Sequence, residues 1–125
     1  MKITVENLKK SFGDRCIWSN IDLTFTSDEI VSIAGKSGQG KTTFLRCLNG
    51  LETYDAGTVS FDGKVMPVGT TDAKKIGMVF QSYELFGHMR VIDNLTLGPV
   101  KAKGEDKAEA EKRALALLDR VGLKD

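Results

Sequence analysis

Eight consecutive residues, Gly35-Lys36-Ser37-Gly38-Gln39-Gly40-Lys41-Thr42, concentrate more recognisable chemistry than any other part of the chain. They match G-x-x-x-x-G-K-[ST] in full, and each fixed position has a physical reason. Glycines let the backbone curl until successive N–H groups point inward at phosphate oxygens. A helix beginning near Lys41 adds unpaired N–H groups and the positive end of its dipole. Lys41 brings an ammonium between the β- and γ-phosphates, the Thr42 hydroxyl can ligate Mg²⁺, and Thr43 can donate to the α-phosphate. The bland alternative is a chance glycine-rich turn. The context opposes it, because a β-branched run precedes the loop and an apolar-striped helix follows.

Several elements must hold that loop in place. Ile3, Val5 and, after a break, Leu8 predict a first strand; Ile17 to Phe25 predicts a second, alternating through Ile21, Leu23 and Phe25. Ser11-Phe12-Gly13-Asp14 turns between them, and Ser27-Asp28-Glu29 breaks the chain before the next element. Ile30-Val31-Ser32-Ile33-Ala34 reads as a strand covered on both faces. Phe44, Leu45, Cys47 and Leu48 form the stripe of the helix from Lys41, which Asn49-Gly50 ends. Thr58 to Phe61, Asp62-Gly63 and Lys64-Val65 predict a hairpin with a two-residue primed turn. Ile76 to Phe80 predicts another buried strand, and Gln81 to Pro99 predicts loops and short turns. Glu105 to Val121 reads as a helix whose face carries Ala114, Leu115, Leu118 and Val121, with Gly122 as its cap.

Composition narrows the remaining classes. The chain has 125 residues, 41% of them hydrophobic, enough for a packed core. Eighteen basic against seventeen acidic residues give a net charge of +1. That balance supplies no footprint for nucleic acid and no polybasic surface for anionic lipid. Between Lys101 and Asp125 stand 7 basic and 6 acidic residues, the mixture of a solvated helix. No apolar run is long enough to span a bilayer, and the start lacks a signal peptide's apolar stretch. Cys16 and Cys47, with His88 as the single histidine, suit two thiols in a reducing compartment better than a disulfide framework or a zinc site.

Three further segments accompany the loop: Ser11-Phe12-Gly13 upstream, Leu45 to Glu52 leading into Gly57 to Gly63, and Ile76 to Phe86. Together they resemble the ATP-binding subunit of an ABC transporter, from about Ile3 to the last residue. The wording of Val79 to Pro99, with Asp93-Asn94-Leu95-Thr96-Leu97-Gly98-Pro99, looks most like subunits that power uptake of polar amino acids. The resemblance implies an α/β fold of the P-loop NTPase class, an ABC-type nucleotide-binding domain truncated after the start of its helical subdomain. It implies a core subdomain over about 1–80, a Q-loop region over 81–104 and the first part of the helical subdomain over 105–121. Gly35, Lys36, Ser37, Gly38, Gln39, Gly40, Lys41, Thr42 and Thr43 would hold ATP, with Mg²⁺ on Thr42 and Gln81. Phe12 stands where relatives stack an aromatic ring, commonly Tyr, on adenine; a flat π face suffices, although the hydroxyl is lost. Gln81 matches the Q-loop glutamine at a strand end, where an amide can orient the attacking water, so Lys41 and Gln81 would be the catalytic pair. Partners implied are transmembrane permease subunits, a second ATP-binding subunit arranged head to tail, and indirectly a solute-binding protein. The implied place is the cytoplasm, peripheral on the inner face of the cell membrane.

Two departures stand out. Gly87 replaces a frequent proline, which predicts a more flexible loop, and His88 comes too soon after Gln81 to be the family's switch histidine. Rapid hydrolysis also needs a carboxylate for Mg²⁺, a group to position the attacking water and positive charge on the γ-phosphate. The resemblance implies that these come from a signature segment, a strand ending in Asp-Glu and that later histidine. The chain has no Ser-Gly-Gly, and its only Asp-Glu pair, Asp28-Glu29, precedes the loop. Leu115-Ala116-Leu117-Leu118-Asp119 imitates the second carboxylate motif, but its residues form helices and Arg120 follows. The expectation is therefore nucleotide binding with little or no turnover by this chain alone. A nucleotide-binding fragment without catalysis, another P-loop class such as a kinase or GTPase, and a gene fragment without a cellular role are the alternatives. Without a neighbouring strand, Ile30 to Ala34 would offer an unpaired apolar edge, predicting marginal stability or self-association.

Overall fold

The computed structural model describes residues 1–71 and 76–125; residues 72–75, inside the expected core span, lie outside the described residues. The chain forms two compact units, Met1–Met78 and Val79–Asp125.

The first unit is built on strands β1 (Lys2–Phe12), β2 (Arg15–Thr26), β3 (Ala56–Phe61) and β4 (Lys64–Val65). They make one antiparallel sheet in the order β2-β1-β3-β4. The predicted break before Leu8 is a β-bulge. Across it β1 advances three residues, Val5 to Leu8, while β2 advances two, Leu23 to Ile21. Asn7 takes the extra step at φ 51°, and its N–H donates to the Asp22 carboxylate at 2.7 Å. The bulge resets the alternation, so Ile3 and Val5 before it and Leu8 and Lys10 after it are all buried. Gly57 lies against the bulge at φ 94°, where an added Cβ would sit 2.5 Å from the carbonyl oxygens of Glu6 and Asn7. Only glycine fits there. The compensating slip occurs in β2, at Asn20 with φ 52°, and Trp18 packs against the core beside Ile21 and Phe25.

Helix α1 (Lys41–Leu48) contributes Phe44, Cys47 and Leu48 to the core that β1, Tyr54, Val59 and Phe61 share. It ends as predicted: Gly50 at φ 69° lets the N–H groups of Gly50 and Leu51 close back on the carbonyls of Cys47 and Arg46. Asp62 and Gly63, at φ 51° and 80°, make the expected primed turn between β3 and β4.

Two expected strands do not form. Ile30–Ala34 and Ile76–Phe80 lie outside every ladder of the described residues, and Ile30, Val31 and Val79 are exposed. A buried parallel strand needs neighbours to take its N–H and C=O groups on each side, and neither run has one here. The run beside the phosphate loop is therefore irregular.

In the second unit, part of the segment expected to be loop is helical. Helix α2 (Val91–Leu97) continues into a π-helical turn over Gly98–Ala102. Asn94 organises the preceding loop, accepting from the Phe86 N–H at 2.8 Å and donating to the Phe86 and Arg90 carbonyls at 3.2 and 3.0 Å. The extra freedom expected of Gly87 is thus bounded by fixed points on both sides. Helix α3 (Lys107–Arg120) is capped by the Asp106 carboxylate, which accepts from the Glu109 N–H at 3.2 Å, and ends at Gly122 with φ 73°. Its buried residues are Ala110 and Ala114, whereas Leu115 and Val121, expected on the inner face, are exposed. Alanines permit close helix approach, and α2 supplies the facing surface in this unit.

Candidate functional site

The loop that precedes α1 is closed by its own atoms. Gly38 and Gly40 sit at φ 81° and 85°, conformations that side chains resist. The Lys36 N–H donates to the Gln39 side-chain oxygen at 2.9 Å, and the Gln39 N–H returns to the Lys36 carbonyl at 3.3 Å. Lys41 folds back over this turn, its Nζ donating to the Gly35 and Lys36 carbonyls at 2.6 and 2.7 Å. The ammonium therefore rests inside the loop's curvature. An anion with several oxygens would compete with those two carbonyls for it. Gly40 caps α1 without any side-chain cap bond, and no acidic residue stands in the first turn, so the N–H groups at Thr42 and Thr43 could serve an anion unopposed by a local carboxylate.

Two residues of β2 hold the loop from outside, and sequence reasoning passed over both. Arg15 Nη2 donates to the Gly38 carbonyl at 3.3 Å. The Trp18 indole N–H donates to the Gly40 carbonyl at 3.3 Å, the same oxygen that receives the Phe44 N–H at 2.9 Å. The Trp18 ring meets Phe44 edge-on, with centroids 5.9 Å apart. A Cβ on Gly40 would fall 2.2 Å from the Ile17 side chain and 2.9 Å from the Trp18 nitrogen, so the glycine is required twice over. Trp18 falls inside the expected strand Ile17 to Phe25, out of phase with Ile21, Leu23 and Phe25; its donor is visible in the sequence, but not its partner. Below the loop a cleft of about 240 Å³ is walled by Trp18, Ile21, Leu23, Ile33, Lys41 and Phe44.

Phe12 ends β1 opposite Arg15 across the hairpin, and Arg15 reaches the loop. The aromatic candidate and the phosphate-loop candidates Gly35 to Thr43 thus belong to one unit, linked through a single side chain. Gln81 lies in the other unit, exposed in a turn that the Tyr83 N–H closes on the Phe80 carbonyl at 3.1 Å. It does not end a strand, because Ile76–Phe80 is not one. His88 is an exposed loop residue edge-on to Phe86.

Next to Phe12 is a second group of charges. Lys10 Nζ lies 3.2 Å from Glu52 Oε1 and 4.5 Å from the centre of the Phe12 ring. Glu52 is held below the usual carboxylate range by the Thr53 N–H that it accepts and by Lys10. Cys47, buried beneath α1, has its thiol pushed up to about 11 by desolvation, which makes it a core group and not a nucleophile. Among the described residues no group of three or more His, Cys, Asp or Glu side chains could hold a metal.

Known proteins supply the wider frame. The model of the ABC transporter family matches residues 18–125. Over 125 residues the chain is 43% identical to the glutamate transport ATP-binding protein GluA of Corynebacterium glutamicum, covering 97% of this chain and 52% of that protein. It is likewise 43% identical to the L-cystine import ATP-binding protein TcyC of Bacillus subtilis, covering 98% of this chain and 53% of that one. The chain spans about half the length of these curated relatives. Among solved structures, a dimeric ATP-binding cassette in a post-hydrolysis state bound to ADP and Pi superposes with a TM-score of 0.75. Identity to it is 28%, over 94% of this chain and 56% of that one. A glycine-closed loop with an inward lysine before a helix, and a family match from Trp18 to the last residue, converge: the chain belongs to the ABC transporter family.

Proposed function

We propose that this chain is the nucleotide-cradling part of an ATP-binding subunit that energises import of a polar solute, an amino acid by analogy with its relatives. One observation carries the reading: Lys41 Nζ is drawn onto the Gly35 and Lys36 carbonyls at the centre of a loop that Gly38 and Gly40 close. When ATP binds, its phosphate oxygens take over that ammonium. The N–H groups of residues 36–43, Ser37 and Gln39 among them, then line the phosphate chain. The exposed Thr42 hydroxyl suits Mg²⁺, which is held mainly by phosphate oxygens and water and needs few protein ligands. That ion would neutralise charge on the phosphates. Phe12 offers a face to the base. Gln81, as second metal contact and water-orienting group, would act from the Q-loop region at 81–104, between the core at 1–80 and the helical part at 105–121.

The whole subunit would work as a head-to-tail pair on permease subunits, with a solute-binding protein supplying cargo and nucleic acid playing no part. Among the described residues no helix is long and apolar enough to cross a membrane. Association with the inner membrane face would then pass through the permease.

Trp18, the only tryptophan, donates to the loop itself and reports on it. Titration with Mg-ATP is expected to change its emission saturably, and Lys41→Ala to weaken binding by at least about tenfold, the scale of one lost charged hydrogen bond. Phosphate release should not exceed that of Lys41→Ala. Binding that is indifferent to Lys41 would overturn the proposal.

A further inference from the structure

We propose that Lys10, anchored by Glu52, is a positioning residue for Phe12: its ammonium occupies one face of the ring and leaves the other for the nucleobase. The inference rests on the reading of Phe12 as the base platform and adds the device that holds it.

Lysine is among the residues least often buried, yet Lys10 is only 5% exposed. Its charge is met on two sides. One is the Glu52 carboxylate at 3.2 Å, and the other is the Phe12 ring, with Nζ 4.5 Å from its centre. A cation within about 6 Å of a ring centre is attracted to the negative π face. Phe12 itself remains 48% exposed, so the ring is restrained from one side and open elsewhere. An ion pair serving stability alone would need no ring on its second side.

The restraint extends to the backbone. Just after α1, Glu52 to Asp55 clasp the last residues of β1. The Asp55 carboxylate accepts the Ser11 N–H at 2.6 Å, the Asp55 N–H donates to the Lys9 carbonyl at 2.8 Å, and Glu52 holds Lys10. Three consecutive residues are thus fixed immediately before Phe12. The clasp follows the C-terminal cap of the same helix whose N-terminus closes the phosphate loop. The base end and the phosphate end of one ligand are tied to opposite ends of α1.

The test compares ATP with inorganic tripolyphosphate, which has the phosphates and no base, on the complete chain. Lys10→Met keeps the aliphatic stem and removes the charge; Lys10→Met with Glu52→Gln keeps the pair neutral should the single variant fold poorly. A two- to fivefold weakening for ATP, the scale of about one cation–π contact, with tripolyphosphate unchanged, is the expected result. In a Phe12→Ala background the same change should cost ATP nothing further. Equal loss for both ligands, or no loss for either, would overturn the positioning role. If Phe12→Ala leaves ATP affinity intact, the platform reading itself falls, and this inference falls with it.

Discussion

Thr58–Phe61 and Ile30–Ala34 are two short β-branched runs in the same unit, and they end in opposite environments. The first lies in β3, paired with β1 on one side and β4 on the other, and Val59, Ser60 and Phe61 are buried. The second has no ladder among the described residues, and Ile30 is fully exposed at 101%. Both have the side chains for a strand. What separates them is whether another backbone stands 4.7–4.9 Å away to take their N–H and C=O groups, and whether a core covers their faces. The antiparallel sheet joins two local hairpins, β1–β2 and β3–β4, through the long-range pairing of β1 with β3. The run that leads into the phosphate loop has no such partner among the described residues.

Three measurements bear on that contrast, the largest effect first. Leu8, 0% exposed on the buried face of β1, should lose about 2–5 kcal/mol on truncation to Ala, read by urea denaturation. The same truncation of Ile30 should stay within about 0.5 kcal/mol. Equal losses would mean that the Ile30 run is packed in solution and would erase the contrast. Next, Gly57→Ala places a Cβ against the backbone of the β1 bulge at a φ that side chains resist. It should cost about 1–3 kcal/mol, while Gly77→Ala, with open space around it, should be nearly silent. A tolerated Gly57→Ala would show that the sheet yields where it looks tight. The smallest effect concerns Glu52. Its carboxyl titrates below its ordinary value when folded, so its contribution is present above that ordinary value and is lost as pH falls through the folded one. Glu52→Gln should flatten that acid limb in a stability-versus-pH series, and an unchanged limb would place the acid sensitivity in other carboxylates.

Much of the sheet unit was legible because its signals are local. The Asp62-Gly63 turn, the Asn49-Gly50 helix end and the glycine pattern of the loop each fix a backbone conformation within a few residues. The loop's lysine was readable for the same reason. Non-local facts were not. Nothing in the spacing says that Trp18 donates to Gly40 or that Lys10 turns inward onto Glu52, since each depends on a bulge that shifts the strand's phase. The helical segment at 91–102 was missed because Gly98 and Pro99 look like breakers, yet the helix runs on through both and changes to π-helical at that point. On α3 the larger apolar residues suggested the inner face, whereas burial followed the small ones, Ala110 and Ala114.

The bulge at Asn7 has a consequence for heredity as much as for shape. A strand writes its residues alternately on two pages, and the bulge is the one place where β1 turns the page out of turn. Flattening the bulge with no residue removed would move Lys9 and Ser11 to the page that Lys10 and Phe12 now occupy. A one-codon loss in that short interval would instead restore strict alternation and leave Ile3, Val5, Leu8, Lys10 and Phe12 on one page, so the hairpin tip is more exposed to a change that straightens Asn7 than to a deletion.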